Sequence, residues 1–142
     1  MPDLPKLSQF PLRNHDKLRY GDTDRQGHVN NAVFATLLET GRIGLLEAGD
    51  RPLQGAGYNF VLARLSIDFL AEITWPGTVE VGTALTKLGN SSIGVTQALF
   101  QHGKCVAISA SVVVQVDPQT HRAVKLSDEL RASFARFMQV KK

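Results

Sequence analysis

The sequence predicts an α+β fold: a curved antiparallel sheet of about five strands wrapped around one long buried helix, with a short helix at the C-terminus. Two observations carry the prediction. A stretch from about Ala32 to Ala48 has helical periodicity and, before Glu47, only Glu39 and Arg42 as charges. Segments of alternating apolar residues then follow, joined by turns short enough to require antiparallel neighbours.

Residues 1–14 read as an irregular arm broken by Pro2, Pro5 and Pro11, and residues 15–142 as a single domain. Lys17–Tyr20 could form a short first strand. The run GDTDRQGHVNN suits neither helix nor strand, because Asp, Asn and Gly favour turns. Asn30 or Asn31 is a good helix N-cap. In the helix, Phe34, Leu37, Leu38, Leu45 and Leu46 recur near helical spacing. Gly41 and Gly44 lower its helix propensity, which close packing against a sheet would offset. Gly49 can close the helix, and a loop runs through Gly55–Gly57.

In Leu62–Ala71, an apolar set (Ala63, Leu65, Ile67, Phe69 and Ala71) alternates with Leu62, Arg64, Ser66, Asp68 and Leu70, as in a half-buried strand. Trp75-Pro76-Gly77 turns the chain. Thr78–Leu88 places Val79, Val81 and Leu85 together. Gly89-Asn90 is a hairpin signal, and Ser92–Gln101 groups Ile93, Val95 and Leu99. After His102-Gly103, the residues Val106, Ile108, Ala110, Val112, Val114 and Val116 make the longest apolar face, ended by Asp117-Pro118. Ser127 caps a final helix with Leu130, Phe134, Phe137 and Met138 on one side.

A chain of 142 residues suits one domain that needs no disulfide staple. Cys105 is the only cysteine, which fits a reducing cytoplasm. The net charge of +3 is scattered and leaves no nucleic-acid footprint. The N-terminal residues lack the apolar core of a signal peptide, and no run approaches the ~20 apolar residues of a membrane helix. The expectation is a cytoplasmic globular protein with neither nucleic acid nor membrane as partner.

Chemistry concentrates in RYGDTDRQGHVNN, which sets Asp22, Asp24, His28, Asn30 and Asn31 directly before the helix. The first amides of a helix lack internal partners and carry the positive end of its dipole. An oxygen gaining negative charge would be stabilised there, and a carboxylate slightly upstream could serve as nucleophile or base. The same residues also suit caps and turns, and His28 alone suits a packed or hydrogen-bonded role.

The run Tyr20-Gly21-Asp22-Thr23-Asp24-Arg25-Gln26-Gly27-His28-Val29-Asn30-Asn31, followed by Phe34 and Glu39-x-x-Arg42, resembles the signature of hotdog-fold acyl-CoA thioesterases, above all the 4-hydroxybenzoyl-CoA thioesterase-like family. The resemblance implies hydrolysis of an acyl-CoA to a carboxylic acid and free coenzyme A. It implies Asp24 as the catalytic carboxylate, nucleophile or general base, and a backbone amide at Asn31 or its neighbours as the oxyanion donor. Asp22 would brace the loop. His28 would touch substrate, position water or pack. Gly27, Val29, Asn30 and Phe34 are the candidate substrate-binding residues. In several aromatic-acyl members the residues after the shared glycine are apolar or aromatic; here they are His-Val-Asn-Asn, which leaves the acyl group open. No cofactor is implied beyond the coenzyme A of the substrate, with an acyl-carrier protein as the lesser partner. Paired subunits are implied, as a homodimer or homotetramer.

Rival readings use the same residues. Asp22, Asp24 and His28 could ligate a metal, but no further cluster completes the set, so no metal is expected. A hotdog hydratase or dehydratase and a non-catalytic acyl-thioester-binding module are the alternatives. Glu39 and Arg42 have the spacing of a structural pair. Arg64 and Lys87 could meet coenzyme phosphates. No serine has a nucleophile-elbow context, and there is no phosphate-binding glycine loop.

Overall fold

The computed structural model describes residues 3–47 and 58–138. Gly49, expected to close the helix, and the loop through Gly55–Gly57 lie outside these. Five strands form one curved antiparallel sheet: β1 (Leu12–Lys17), β2 (Asn59–Phe69), β3 (Thr78–Leu88), β4 (Ser92–Gln101) and β5 (Lys104–Val116). Their spatial order is β1-β3-β4-β5-β2, so β1 and β2 are the edges. The long helix α1 (Asn31–Glu47) packs against β1, β3 and β4, and the short helix α2 (Asp128–Ala135) follows the sheet. This is the hotdog architecture.

Helix α1 lies on the sheet because its middle has no side chain to hold it off. A Cβ at Gly41 would stand 2.7 Å from Val81 Cγ1 and closer still to Thr83 Oγ1. The buried Gln97 amide donates to Leu38 O at 2.8 Å and to Thr83 Oγ1 at 3.1 Å, tying the helix to β3 and β4. Thr40 Oγ1 donates to Asp16 Oδ2 at 2.6 Å and fastens the helix to β1. The first half of α1 contributes Phe34, Leu37 and Leu38 to a core with Val29, Ile73, Val79, Val81 and Leu99. The second half contributes Leu45 and Leu46 to a core with Leu85, Ile93, Val95 and Val113, closed by Leu130 and Phe134 of α2. Ser127 Oγ accepts from the Leu130 amide at 3.1 Å and starts α2 as expected.

Three expectations are corrected. The first strand is Leu12–Lys17, whereas the segment expected as a strand, Lys17–Tyr20, runs into a 3-10 turn at Tyr20–Asp22. Part of the expected irregular arm is therefore ordered. Phe10 is buried on the sheet face opposite α1, with Ala84, Ala98, Phe100 and Cys105, over the bare backbone of Gly82.

Strand β2 is mostly exposed on both faces, because it is an edge that α1 does not cover. A bulge between Leu62 and Arg64 also breaks its alternation, so Phe60 turns inward onto Phe134. In β5 the better buried set is Ser109, Ser111, Val113 and Gln115, while Ile108, Val112, Val114 and Val116 are only half-buried. The polar residues of β5 face inward there because Ser109 stands opposite Gln97, in the polar row beneath Gly41.

Candidate active site

The loop before α1 is a small hairpin. Thr23 pairs with Val29 across it, and the Asn30 amide donates to Asp22 O at 2.9 Å. Its tip is Asp24-Arg25-Gln26-Gly27. The Gly27 amide donates to Asp24 O at 3.1 Å, and Gly27 sits at φ 85°, the left-handed conformation that suits glycine.

The two carboxylates of the loop differ sharply. Asp22 is buried; its oxygens accept from the Arg19 amide at 2.8 Å and from the Arg19 guanidinium at 2.9 Å. The Arg19 amide first, and then its guanidinium, hold the Asp22 carboxyl below the usual carboxylate range, against an opposing effect of burial. Asp22 is thus a brace.

Asp24 is exposed. Its amide donates to His28 O at 2.7 Å, and its Oδ1 accepts from the amides of Gln26 at 2.8 Å and His28 at 3.1 Å. Among the described residues no donor reaches Oδ2. One oxygen is fixed by the backbone and the other is open.

At the helix start, Asn30 takes two of the orphan amides. Its Oδ1 accepts from the Ala32 amide at 2.9 Å and its carbonyl from the Val33 amide at 2.9 Å. The Asn31 amide has no acceptor among the described residues. Val29 is anchored by its amide to Ile73 O at 2.9 Å, and both Val29 and Phe34 are core residues beneath the loop. The Phe34 ring meets Phe69 edge to face at 5.0 Å, and half of Phe69 is exposed. Tyr20 and Trp75 form a second edge-to-face pair at 5.3 Å, both exposed.

Two residues of this neighbourhood carry no signal in the sequence. Glu72 Oε2 lies 2.9 Å from His28 Nε2. The buried Gln101 accepts from the Thr74 amide at 3.0 Å and donates to Thr74 O at 2.7 Å, fixing the segment that carries Glu72. Both come from parts of the chain that only the sheet brings to the loop.

The expected Glu39–Arg42 pair is not formed. Arg42 is buried and donates to Gln97 Oε1 at 3.4 Å, while Glu39 is exposed. Burial lowers the Arg42 pKa, and the charge of Glu39 only partly opposes this. Arg64 and Lys87 line an open groove of about 370 Å³ with Ser66, Thr86 and Thr96, on the sheet face turned away from α1. Cys105 is buried, which raises its thiol pKa above the ordinary value. Among the described residues no group of three or more His, Cys, Asp or Glu side chains could hold a metal ion. No helix among them is long and apolar enough to cross a membrane.

The sequence matches no curated protein. The chain is similar along nearly its whole length to the PA5185 protein of Pseudomonas aeruginosa strain PAO1, with 29% identity, a TM-score of 0.87, and coverage of 97% of this chain and 99% of that one. It is similar to a thioesterase from Thermus thermophilus solved in complex with coenzyme A and Zn, with 32% identity, a TM-score of 0.79, and coverage of 89% and 93%. A DHNA-CoA thioesterase from Staphylococcus aureus shares the fold at 18% identity, a TM-score of 0.75, and coverage of 80% and 79%. The family model of the thioesterase-like superfamily matches residues 18–134, a span that takes in the Asp24 hairpin, the buried helix and the whole sheet from β2 to β5. With fold, loop and family model in agreement, the chain belongs to the thioesterase-like superfamily.

Proposed function

We propose that the protein hydrolyses an acyl-CoA thioester to a carboxylic acid and free coenzyme A, with Asp24 as its catalytic carboxylate. One observation carries this reading. Loop amides hold one Asp24 oxygen and leave the other open, on a hairpin that leads straight into a helix start whose Asn31 amide is unpaired. An amide so placed can accept the negative charge that develops on a thioester carbonyl oxygen.

The open Asp24 oxygen then has two balanced routes. It can attack the carbonyl carbon, so that the thiolate leaves and water hydrolyses the resulting mixed anhydride. Alternatively it takes a proton from a water that attacks, and the same thiolate leaves. Both routes end in carboxylic acid and thiol. A thioester carbonyl is electrophilic enough for such a site without a serine triad, and neither route requires a metal. The exposed edge of Phe69, backed by Phe34, supplies an apolar wall for the acyl group.

The working unit is a homo-oligomer built from dimers, in a cytoplasmic setting. Strand β2 is a long edge with one side unpaired, bearing Val61, Leu62 and Phe69 with Leu70 just beyond it, each 42–50% exposed. Such an edge calls for pairing with another chain, and a second copy would shelter the exposed Asp24. Sedimentation of the wild type and Leu62→Lys checks this: a dimer that the substitution weakens is expected, and an active wild-type monomer would contradict it.

The direct test is thiol release from short, medium, long and aromatic acyl-CoA thioesters and their matched oxygen esters. Hydrolysis of at least one thioester, dependent on Asp24, is expected. Binding without thiol release would point to the non-catalytic module, and hydration of an unsaturated acyl-CoA to the hydratase.

A further inference from the structure

We infer that Glu72 is a positioning residue for Asp24, acting through His28; this deepens the proposed thioesterase reading and rests on it. The chain of contacts is short. Glu72 Oε2 is 2.9 Å from His28 Nε2. The backbone of His28 grips Asp24 twice, since its carbonyl accepts the Asp24 amide at 2.7 Å and its amide donates to Asp24 Oδ1 at 3.1 Å. Fixing the His28 side chain therefore fixes the peptide that orients the carboxylate. No side-chain burial holds the hairpin tip, because Asp24, Arg25, Gln26 and Gly27 are all exposed.

Glu72 can do this because it stands on rigid backbone. Before it, the Leu70 and Ala71 amides both donate to Val106 O, at 3.0 and 3.1 Å. After it, Ile73 is fully buried and accepts the Val29 amide, and Thr74 is clamped by Gln101 and bridges to His28. The backbone of residues 73–74 thus holds the return strand of the hairpin, and the Glu72 side chain meets His28 just after its tip. A fixed carboxylate orientation matters because small displacements of a reacting group cost rate steeply.

The test compares wild type, Glu72→Ala, Glu72→Gln, His28→Ala and the double variant Glu72→Ala/His28→Ala. The readouts are thiol release, Tm, and amide hydrogen exchange at Gln26 and His28, the two donors to Asp24 Oδ1. Glu72→Ala is expected to lower kcat by about five- to twentyfold with KM and Tm little changed, and to speed exchange at both amides. Glu72→Gln, which keeps an acceptor of the same length, should recover most of the loss. The double variant should lose no more than His28→Ala alone. Wild-type kcat and unchanged exchange in Glu72→Ala would overturn the inference, as would losses that multiply in the double variant. A wild-type chain that releases no thiol would instead sink the thioesterase reading, and amide exchange would then decide the Glu72 contact on its own.

Discussion

The first turn of α1 and its middle obey different demands. At the first turn Asn30, Asn31 and Ala32 are exposed, and the first amides look to the loop for partners, with Asn30 taking two of them and leaving one. In the middle, Gly41 brings the helix backbone against Thr83, Gln97 and Val81, and even the Arg42 guanidinium is buried. One end keeps unsatisfied groups facing outward, and the other removes atoms to avoid a clash. Chemistry and stability therefore separate along one helix and its loop, and substitutions at the two places should separate in the same way.

The largest effect is expected at Asp24. Asp24→Asn keeps the shape of the side chain and its acceptor for the Gln26 and His28 amides, but it cannot act efficiently as nucleophile or base. Turnover should fall by about 10²–10⁴, the range typical of a lost general base, with Tm within a degree or two of wild type. Thiol release and thermal melting on the same preparation check this; wild-type turnover in a folded variant would remove Asp24 from the mechanism.

Gly41 should show the reverse. Alanine is the better helix former by about 1 kcal/mol, yet its Cβ would stand 2.7 Å from Val81 Cγ1 and nearer to Thr83 Oγ1, in a row closed by buried Gln97. Overpacking costs typically about 1–3 kcal/mol, so Gly41→Ala should be destabilising on balance, by about 1–2 kcal/mol in urea titration. Gly21 is the control inside the loop. Nothing lies within 4 Å of a Cβ there, so Gly21→Ala should leave stability unchanged.

These contrasts also mark how far the sequence could be read. Strands β3 and β4 fall at their expected limits because their apolar residues truly alternate inward and their turns carry Gly and Asn. Strand β1 leaves no alternation to read, because LRNHDK is a polar edge with no buried residue. The faces of β5 read the wrong way round because Ser109, Ser111 and Gln115 turn inward, next to the polar row that Gln97 begins. The turn-rich character of the segment around Asp24 was legible because its hydrogen bonds are local, within a few residues of each other, although its closure into a hairpin was not. Glu72 and Gln101 were not, since their partners lie far along the chain and nothing in composition marks the pairing.

The two neighbouring carboxylates give a sharper version of the contrast. Asp22→Asn should lower stability slightly by weakening the bonds to Arg19, the effect kept small because the Arg19 side chain is exposed. The effect depends on pH with a definite sign. The folded-state pKa of Asp22 is depressed, so its contribution is present above the unfolded carboxyl value of about 3.9 and is lost as pH falls through the folded value. Wild type and Asp22→Asn should differ in urea midpoint at pH 6 and converge in strong acid. A gap that persists undiminished below pH 2 would assign the effect to shape and not to charge.

The smallest expected effect compares two helix starts. Ser127 caps α2, its side chain accepting from the Leu130 amide and its carbonyl from the Arg131 amide, and no candidate catalytic residue lies beside it. Asn30 caps α1 beside Asp24, holding Ala32 with its side chain and Val33 with its carbonyl. Losing a cap side chain typically costs about 0.5–2 kcal/mol. Ser127→Ala should therefore lower stability by about 1 kcal/mol and leave turnover untouched. Asn30→Ala should cost about the same stability, since the Val33 bond uses the backbone and survives. It should also lower kcat, because the freed Ala32 amide joins Asn31 as an unpaired donor and the helix start no longer offers a single fixed amide to the carbonyl oxygen. A few-fold fall in kcat at Asn30, beside wild-type kcat at Ser127 for a similar loss of stability, would locate the oxyanion donor at the start of α1. Equal turnover in both variants would make Asn30 a cap and nothing more.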